Sequence, residues 1–231
     1  MDSSQFDIRH HPTVSVEEGY GEWSKTYDEV EVGTLDRQLL ARIKTVPWAE
    51  VREAADLACG TGRIGAWLKQ QGVETLDGID LTPEMLEQAR ARGIYRQLEL
   101  GDVRKTPFVA AQYDLVTEVL ADEHLPEVAP LYQEAARLAR AGGYFVLVGF
   151  HPYFLMRGIP TSFVNAGGET RTISSYVHLL SEHVQAALAA RWALREMYEW
   201  VVDEEWISKK ARRQQYRNWP ISFALVWQKE K

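Results

Sequence analysis

Asp56-Leu57-Ala58-Cys59-Gly60-Thr61-Gly62-Arg63-Ile64-Gly65 is the stretch that decides the fold. The short apolar run 54–58 reads as a buried strand, Cys59 to Gly62 as a turn and 63–70 as a helix. Gly60, Gly62 and Gly65 have the G-x-G-x-x-G spacing of a turn whose bare backbone a ligand can approach closely. Outward from this turn the period keeps switching. Strands are predicted at 74–80, 95–100, 113–119 and 144–150. Helices are predicted from Thr82-Pro83, a cap and a first-turn proline, to about Arg92, and over 126–140, where Ala141-Gly142-Gly143 ends the helix. Strands alternating with helices imply an α/β, doubly wound, mostly parallel sheet with right-handed crossovers.

The flanks read differently. Residues 1–14 carry few apolar side chains and are expected to form a loose arm. Ser15 then caps a helix that sets Val16, Tyr20, Trp23 and Tyr27 at helical spacing, and a second helix is predicted at 35–44. After the last core strand, 151–168 reads as an ordered loop, 176–190 as a helix, and 192–202 and 221–228 as two late strands. The chain is expected to be one domain: a helical lid over 1–45, a core over 46–150, and a substrate-side loop, helix and strand pair over 151–231.

Aspartates end three successive predicted strands: Asp56, Asp80 and Asp102. A diphosphate on the glycine turn would meet Asp56 and be repelled, whereas a sulfonium or ammonium would be attracted. Asp80 suits the two hydroxyls of a ribose, and Asp102 is placed to accept from an adenine amine. The set describes a nucleoside with a cationic tail and no phosphate. S-adenosylmethionine has that chemistry and NAD does not.

Five segments in order resemble class I S-adenosylmethionine-dependent methyltransferases: Asp56 to Gly62, Leu76 to Leu86, Gly101-Asp102-Val103, Tyr113 to Val116, and Ala139 to Gly143. The closest in style are small-molecule enzymes of the ubiquinone- and menaquinone-biosynthesis type. Ala58 stands where many members have the first glycine. The resemblance implies a seven-stranded sheet with an antiparallel last strand. It implies S-adenosylmethionine held by Asp56, Ala58, Cys59, Gly60, Thr61, Gly62, Asp80 and Gly101-Asp102. Leu81 and Met85 would pack on the adenine, with Val103 at its flank. Glu118 would lie near the methionine part, and the Tyr27-Asp28 pair would cover the cofactor. The implied reaction is methyl transfer to O, N or C of a small molecule by in-line displacement, leaving S-adenosylhomocysteine.

For catalysis, His151 and His124 follow predicted strands on the expected edge, with His151 favoured. Tyr20, Trp23, Phe154, Met156 and Phe163 are the candidate acceptor walls. The bland reading of the lid aromatics is an apolar helix face, and that of Cys59 a small space-filler. His178 and His183 are expected on one helix, pointing apart, as surface or satisfied core residues. His10 and His11 belong to the arm. Lys209-Lys210-Ala211-Arg212-Arg213, preceded by Asp203-Glu204-Glu205, reads as a solvated, neutralised face.

Composition narrows the classes. The chain has 231 residues, 45% hydrophobic and 26% charged, which argues against disorder. Its 26 basic and 33 acidic residues give a net charge of −7, which counts against nucleic acid as a partner. The lone Cys59 excludes an intrachain disulfide and a Cys-based zinc site, and no metal is expected. The start of the chain lacks a basic and apolar leader pattern, so a cytoplasmic, membrane-free protein, monomeric or homodimeric, is expected. The competing readings are a non-catalytic S-adenosylmethionine-binding module and an RNA or protein methyltransferase. The residues that follow Glu118 lack the Asn/Asp-Pro-Pro-aromatic signature of amino-methylating DNA enzymes.

Overall fold

The computed structural model describes residues 1–29, 35–208 and 211–230. An N-terminal segment contributes β1 (Thr13–Val14), α1 (Val16–Trp23) and α2 (Leu35–Arg42). The core alternates β2 (Glu53–Leu57), α3 (Arg63–Gln70), β3 (Thr75–Asp80), α4 (Pro83–Ala91), β4 (Gln97–Leu100), β5 (Tyr113–Val119), α5 (Ala129–Leu138) and β6 (Ala139–Phe150). Then follow α6 (Pro152–Met156), β7 (Ser162–Val164), β8 (Thr170–Ile173), α7 (Leu180–Ala189), β9 (Trp192–Val201), α8 (Glu204–Ser208) and β10 (Pro220–Lys229).

Seven strands form the main sheet in the order β4-β3-β2-β5-β6-β10-β9. Neighbours from β4 to β6 are parallel, and β10 runs antiparallel to both β6 and β9. The chain's last strand is thus antiparallel, as the resemblance implies, and it lies between β6 and β9. Helices cover both faces. Leu39, Leu40, Ile64 and Leu68 pack on one side, and Leu131, Tyr132, Leu138 and Ala187 on the other, which is why β2, β3 and β5 are buried along nearly their whole length, their acidic residues included. The strand order reverses between β3 and β5, on either side of β2. In open α/β sheets the crevice at the carboxyl ends of such strands is where ligands bind.

Four expectations need correcting. The arm is not loose: β1 pairs in parallel with β8, which pairs with β7, making a small second sheet. The Met1 amine donates to the Val177 carbonyl at 2.9 Å, and Ser3–Ser175 and Thr13–Thr172 hydroxyl pairs close at 2.6 and 2.8 Å. Backbone ladders and hydroxyl pairs tie this segment down, and Val14 packs against the Trp23–Phe163–Ile173 cluster, partners that an apolar count over 1–14 misses. Gly142 does not end a helix: α5 stops at Leu138, and Ala141-Gly142-Gly143 lie inside β6 at a register irregularity, with Gly142 at φ 76°. The stretch read as a loop contains α6 and β7, and the helix expected from 176 begins at Leu180.

The glycine turn owes its shape to one side chain. Asp56 on β2 is flanked by Thr117 on β5 and Gly78 on β3. The absent side chain at Gly78 leaves room for Tyr95, whose ring also covers Gly62 and Gly65 and whose hydroxyl donates to Asp56 Oδ2 at 2.7 Å. A Cβ at Gly65 would stand 2.1 Å from that hydroxyl. Gly65→Ala is therefore expected to displace Tyr95 and cost about 2–3 kcal/mol from overpacking plus an impaired buried hydrogen bond. Urea unfolding checks this: the midpoint should fall with the slope unchanged, and an unshifted midpoint would refute the contact.

Candidate active site

The cleft opens at the carboxyl ends of β2 to β5, with about 860 Å³ of empty space counting its mouth. Its base is the turn after β2. Ala58 takes φ 53°, Gly60 φ 53° and Gly62 φ 79°. The missing glycine at Ala58 therefore has a backbone cost, since a left-handed conformation costs an L-residue about 1–2 kcal/mol. A Cβ at Gly60 would meet nothing within 4 Å, so the turn presents open backbone to the space above it.

Asp80 ends β3 with its carboxylate fixed from below. Gly60 N–H donates to Oδ2 at 2.7 Å and Thr82 N–H to Oδ1 at 2.9 Å, leaving each oxygen lone pairs for the cleft it lines. Burial raises its pKa. Leu81, Met85, Gly101 and Val103 line an apolar slot beside it. Asp102 lines the slot too, with both oxygens clasped by the Arg104 guanidinium, whose hydrogen bonds lower its pKa. Glu118 ends the wall at β5. Its Oε1 accepts from Ala121 N–H at 2.6 Å and its buried Oε2 has no partner.

Asp56 is a correction. Its carboxylate does not reach the main cleft, because its strand position turns it toward Tyr95 and Thr117, the latter donating at 2.9 Å. It borders only an adjoining recess of about 300 Å³ shared with Tyr27, Cys59, Thr61 and Arg63. Cys59 is buried there with its thiol pKa pushed up by desolvation, the behaviour of a space-filler. Arg63, which the sequence reading passed over, is ion-paired with buried Asp36 at 2.6 Å.

The lid residues divide. Tyr20 and Tyr27 line the cleft. Trp23 lies behind them, stacked on Phe163 at 5.7 Å, so those two support the lid and do not face the cleft. Asp28 ties this segment to the glycine turn: it accepts from the Thr61 hydroxyl at 2.7 Å and pairs with Arg92. Phe154 packs against Phe150 and Tyr216, and Met156 is exposed on α6. Neither lines the cleft, because the expected loop folds into a helix against β10.

The histidines reorder as well. His151 is turned away: Nδ1 accepts from Tyr153 N–H at 3.1 Å to cap α6, and Nε2 lies 2.9 Å from Glu199. His124 lines the cleft, within hydrogen-bond reach of Tyr20. His178 precedes α7 while His183 is on it, and their buried rings lie 6.1 Å apart. They neither diverge nor reach the surface. In the basic cluster, Lys209 and Lys210 lie outside the described residues. Arg213 is buried over the Trp206 ring at 4.1 Å and so is not on a solvated face. No helix among the described residues is long and apolar enough to cross a membrane.

Comparison with known proteins matches residues 55–147 to a family model described as a methyltransferase domain. Methyltransferase-like protein 27 of Homo sapiens is 39% identical over 75 residues, 31% of each chain. The malonyl-[acyl-carrier protein] O-methyltransferase of Enterobacter lignolyticus is 31% identical over 105 residues, 46% of this chain and 40% of that one. The matched stretch thus spans less than half of these curated relatives. Among solved structures, an S-adenosylmethionine dependent methyltransferase from Mesorhizobium loti superposes with TM-score 0.66 at 21% identity, over 84% of this chain and 96% of that one.

Desolvation pushes Asp56 from 3.8 up to about 6. Between those values the unfolded chain ionises Asp56 while the folded one keeps its proton, so this group lowers stability as pH rises, by about 3 kcal/mol in total. Asp56→Asn should remove that fall. Urea unfolding at pH 4 and pH 7.5 should show the variant gaining on the wild type at the higher pH, and parallel curves would refute the raised pKa.

Proposed function

We propose, from the premise that residues 55–147 form a class I, S-adenosylmethionine-dependent methyltransferase domain, that this chain transfers a methyl group to a small-molecule acceptor. The observation that carries the reading is Asp80. A carboxylate braced by two backbone N–H groups at a sheet edge, with lone pairs left toward open glycine backbone, matches a vicinal ribose diol. The slot of Leu81, Met85 and Val103 suits a flat purine, with Asp102 at its rim to accept from an amine. Tyr27 and Arg63 supply donors for a carboxylate in the adjoining recess. Glu118 keeps an oxygen without a partner at the cleft, a neutral acceptor for an N–H of the cofactor's ammonium. The carboxylates of Asp80 and Asp102 along the cleft, with the guanidinium of Arg104 already engaged, are a poor bed for a dinucleotide diphosphate.

The bound cofactor brings a methyl group on a sulfonium that is already a good leaving group. The protein's work is then to align the acceptor, exclude water and take a proton where the acceptor has one to lose. Tyr20 and Tyr27 roof the cleft, and Asp28 holds their segment to the glycine turn. His124, and not His151, is the base within reach of that roofed space.

Calorimetry with S-adenosylhomocysteine tests the cofactor site. The wild type should bind, and Asp80→Ala should weaken binding roughly 100-fold, about 3 kcal/mol for two hydrogen bonds to a charged acceptor. Equal affinities would remove the ribose from Asp80, and tight NADH binding instead would overturn the cofactor.

A further inference from the structure

The acceptor end of the cleft holds a hydrogen-bonded pair assembled from three distant parts of the chain. His124 closes the short helical turn Asp122–His124 after β5. Its Nδ1 lies 2.8 Å from the carbonyl of Ser174, just past β8. A carbonyl only accepts, so Nδ1 carries the proton. Burial depresses the imidazole pKa, so the ring is neutral at pH 7 and Nε2 is a free acceptor. The Tyr20 hydroxyl on α1 lies 2.8 Å from Nε2 and therefore donates to it. Desolvation raises the phenol pKa, so Tyr20 keeps its proton and holds lone pairs for an incoming donor.

Val16, Leu120, Ala121, Leu125 and Pro126 make the surrounding wall apolar. The nearest further ionisable groups are acids or imidazoles. Glu123 Oε1 stands 3.6 Å from Nε2 and is pushed up to about 8, chiefly by burial. Glu118 is raised the same way, and Asp122 lies 3.4 Å from His183. His178 donates to the Leu125 carbonyl, and Tyr27 and Asp80 bound the far side. An acceptor that arrives as an ammonium would meet carboxyls that still hold protons. A neutral hydroxyl meets a phenol oxygen able to accept its proton.

We propose that Tyr20 is a catalytic residue: it accepts the proton of a neutral hydroxyl acceptor while passing its own to His124 Nε2, so the base is complete only with α1 seated. This rests on the methyl-transfer reading above. The acceptor oxygen forms the new O–C bond, the S–C pair stays on sulfur, and the hydroxyl proton ends on the imidazole. The positive charge lost at sulfur reappears on His124, beside acids that favour it.

The test separates the relay from the cofactor site. In ¹⁵N spectra of histidine-labelled protein at pH 7, His124 should be neutral and protonated at Nδ1, and Tyr20→Phe should shift Nε2 toward an unbonded acceptor while Nδ1 stays protonated. A charged ring, or one protonated at Nε2, overturns the relay. S-adenosylhomocysteine binding should persist in Tyr20→Phe and His124→Gln. With phenol, catechol and benzylamine as probes, wild type should methylate the phenols, with a rate that rises with pH through the His124 titration. Each variant should lose roughly 100-fold or more in kcat, and the double variant no more than either single one. Unimpaired turnover in Tyr20→Phe overturns the relay, and preference for benzylamine overturns the hydroxyl class. Retained product binding without turnover of any probe counts against small phenols as the acceptor class, and the spectra still decide the Tyr20–His124 geometry. Loss of S-adenosylhomocysteine binding by the wild type would instead fell the cofactor reading.

Discussion

A buried carboxylate that accepts from two hydroxyls holds the cofactor edge together. Asp56 takes one hydrogen bond from Tyr95 and one from Thr117, and Tyr95 can reach it only over the bare backbone at Gly62, Gly65 and Gly78. With the ring in place the turn after β2 is fixed from beneath, and Gly60 can direct its N–H at Asp80. The spacing that first suggests a phosphate cradle is therefore explained twice. One face of the glycine turn is open for a ligand, and the other is filled by a tyrosine from the approach to β4. The cost is a carboxyl held out of water, which its raised pKa records.

This explains which parts of the site were legible in sequence. The cleft's floor is built from strand ends and the turns that follow them, so Asp80, Asp102 and Gly60 were expected there from local pattern and Met85 from the family resemblance, and all four line the cleft. Asp56 was placed correctly along the chain but not in direction. Strand alternation decides which way a side chain points, and a strand end known only to within a residue or two leaves that open. At Ala58, where the sequence shows only that a family glycine is missing, the constraint is a positive φ.

The acceptor side was illegible for a different reason. Tyr20 and His124 are 104 residues apart, and Ser174, which sets the imidazole tautomer, lies another 50 beyond. No spacing rule connects them. His151 and His124 both follow strands on one edge, and what separates them is that the stretch after β6 turns into a helix that needs a cap. The small sheet of β1, β8 and β7 was missed because β1 pairs with a strand almost 160 residues further along the chain, which no local pattern shows. That sheet carries the α1 lid on one side and Ser174 on the other, so a segment read as a loose arm positions the polar end of the cleft.

The acids beneath the cleft complete the argument. Glu118 Oε2, Asp122 Oδ1 and Glu123 Oε2 are buried without hydrogen-bond partners, an arrangement too costly for three charges side by side. Protonation relieves it, and the upward shifts of Glu118 and Glu123 run that way. A floor in which Glu118 and Glu123 keep their protons adds less charge to the resting cleft than three ionised acids would, so it draws in stray cations less strongly. Its carboxyl groups can still ionise once a positive charge forms on the imidazole above them. Charge is thus held back in the resting site and made available when the proposed relay turns over, which a floor of permanently ionised aspartates could not do.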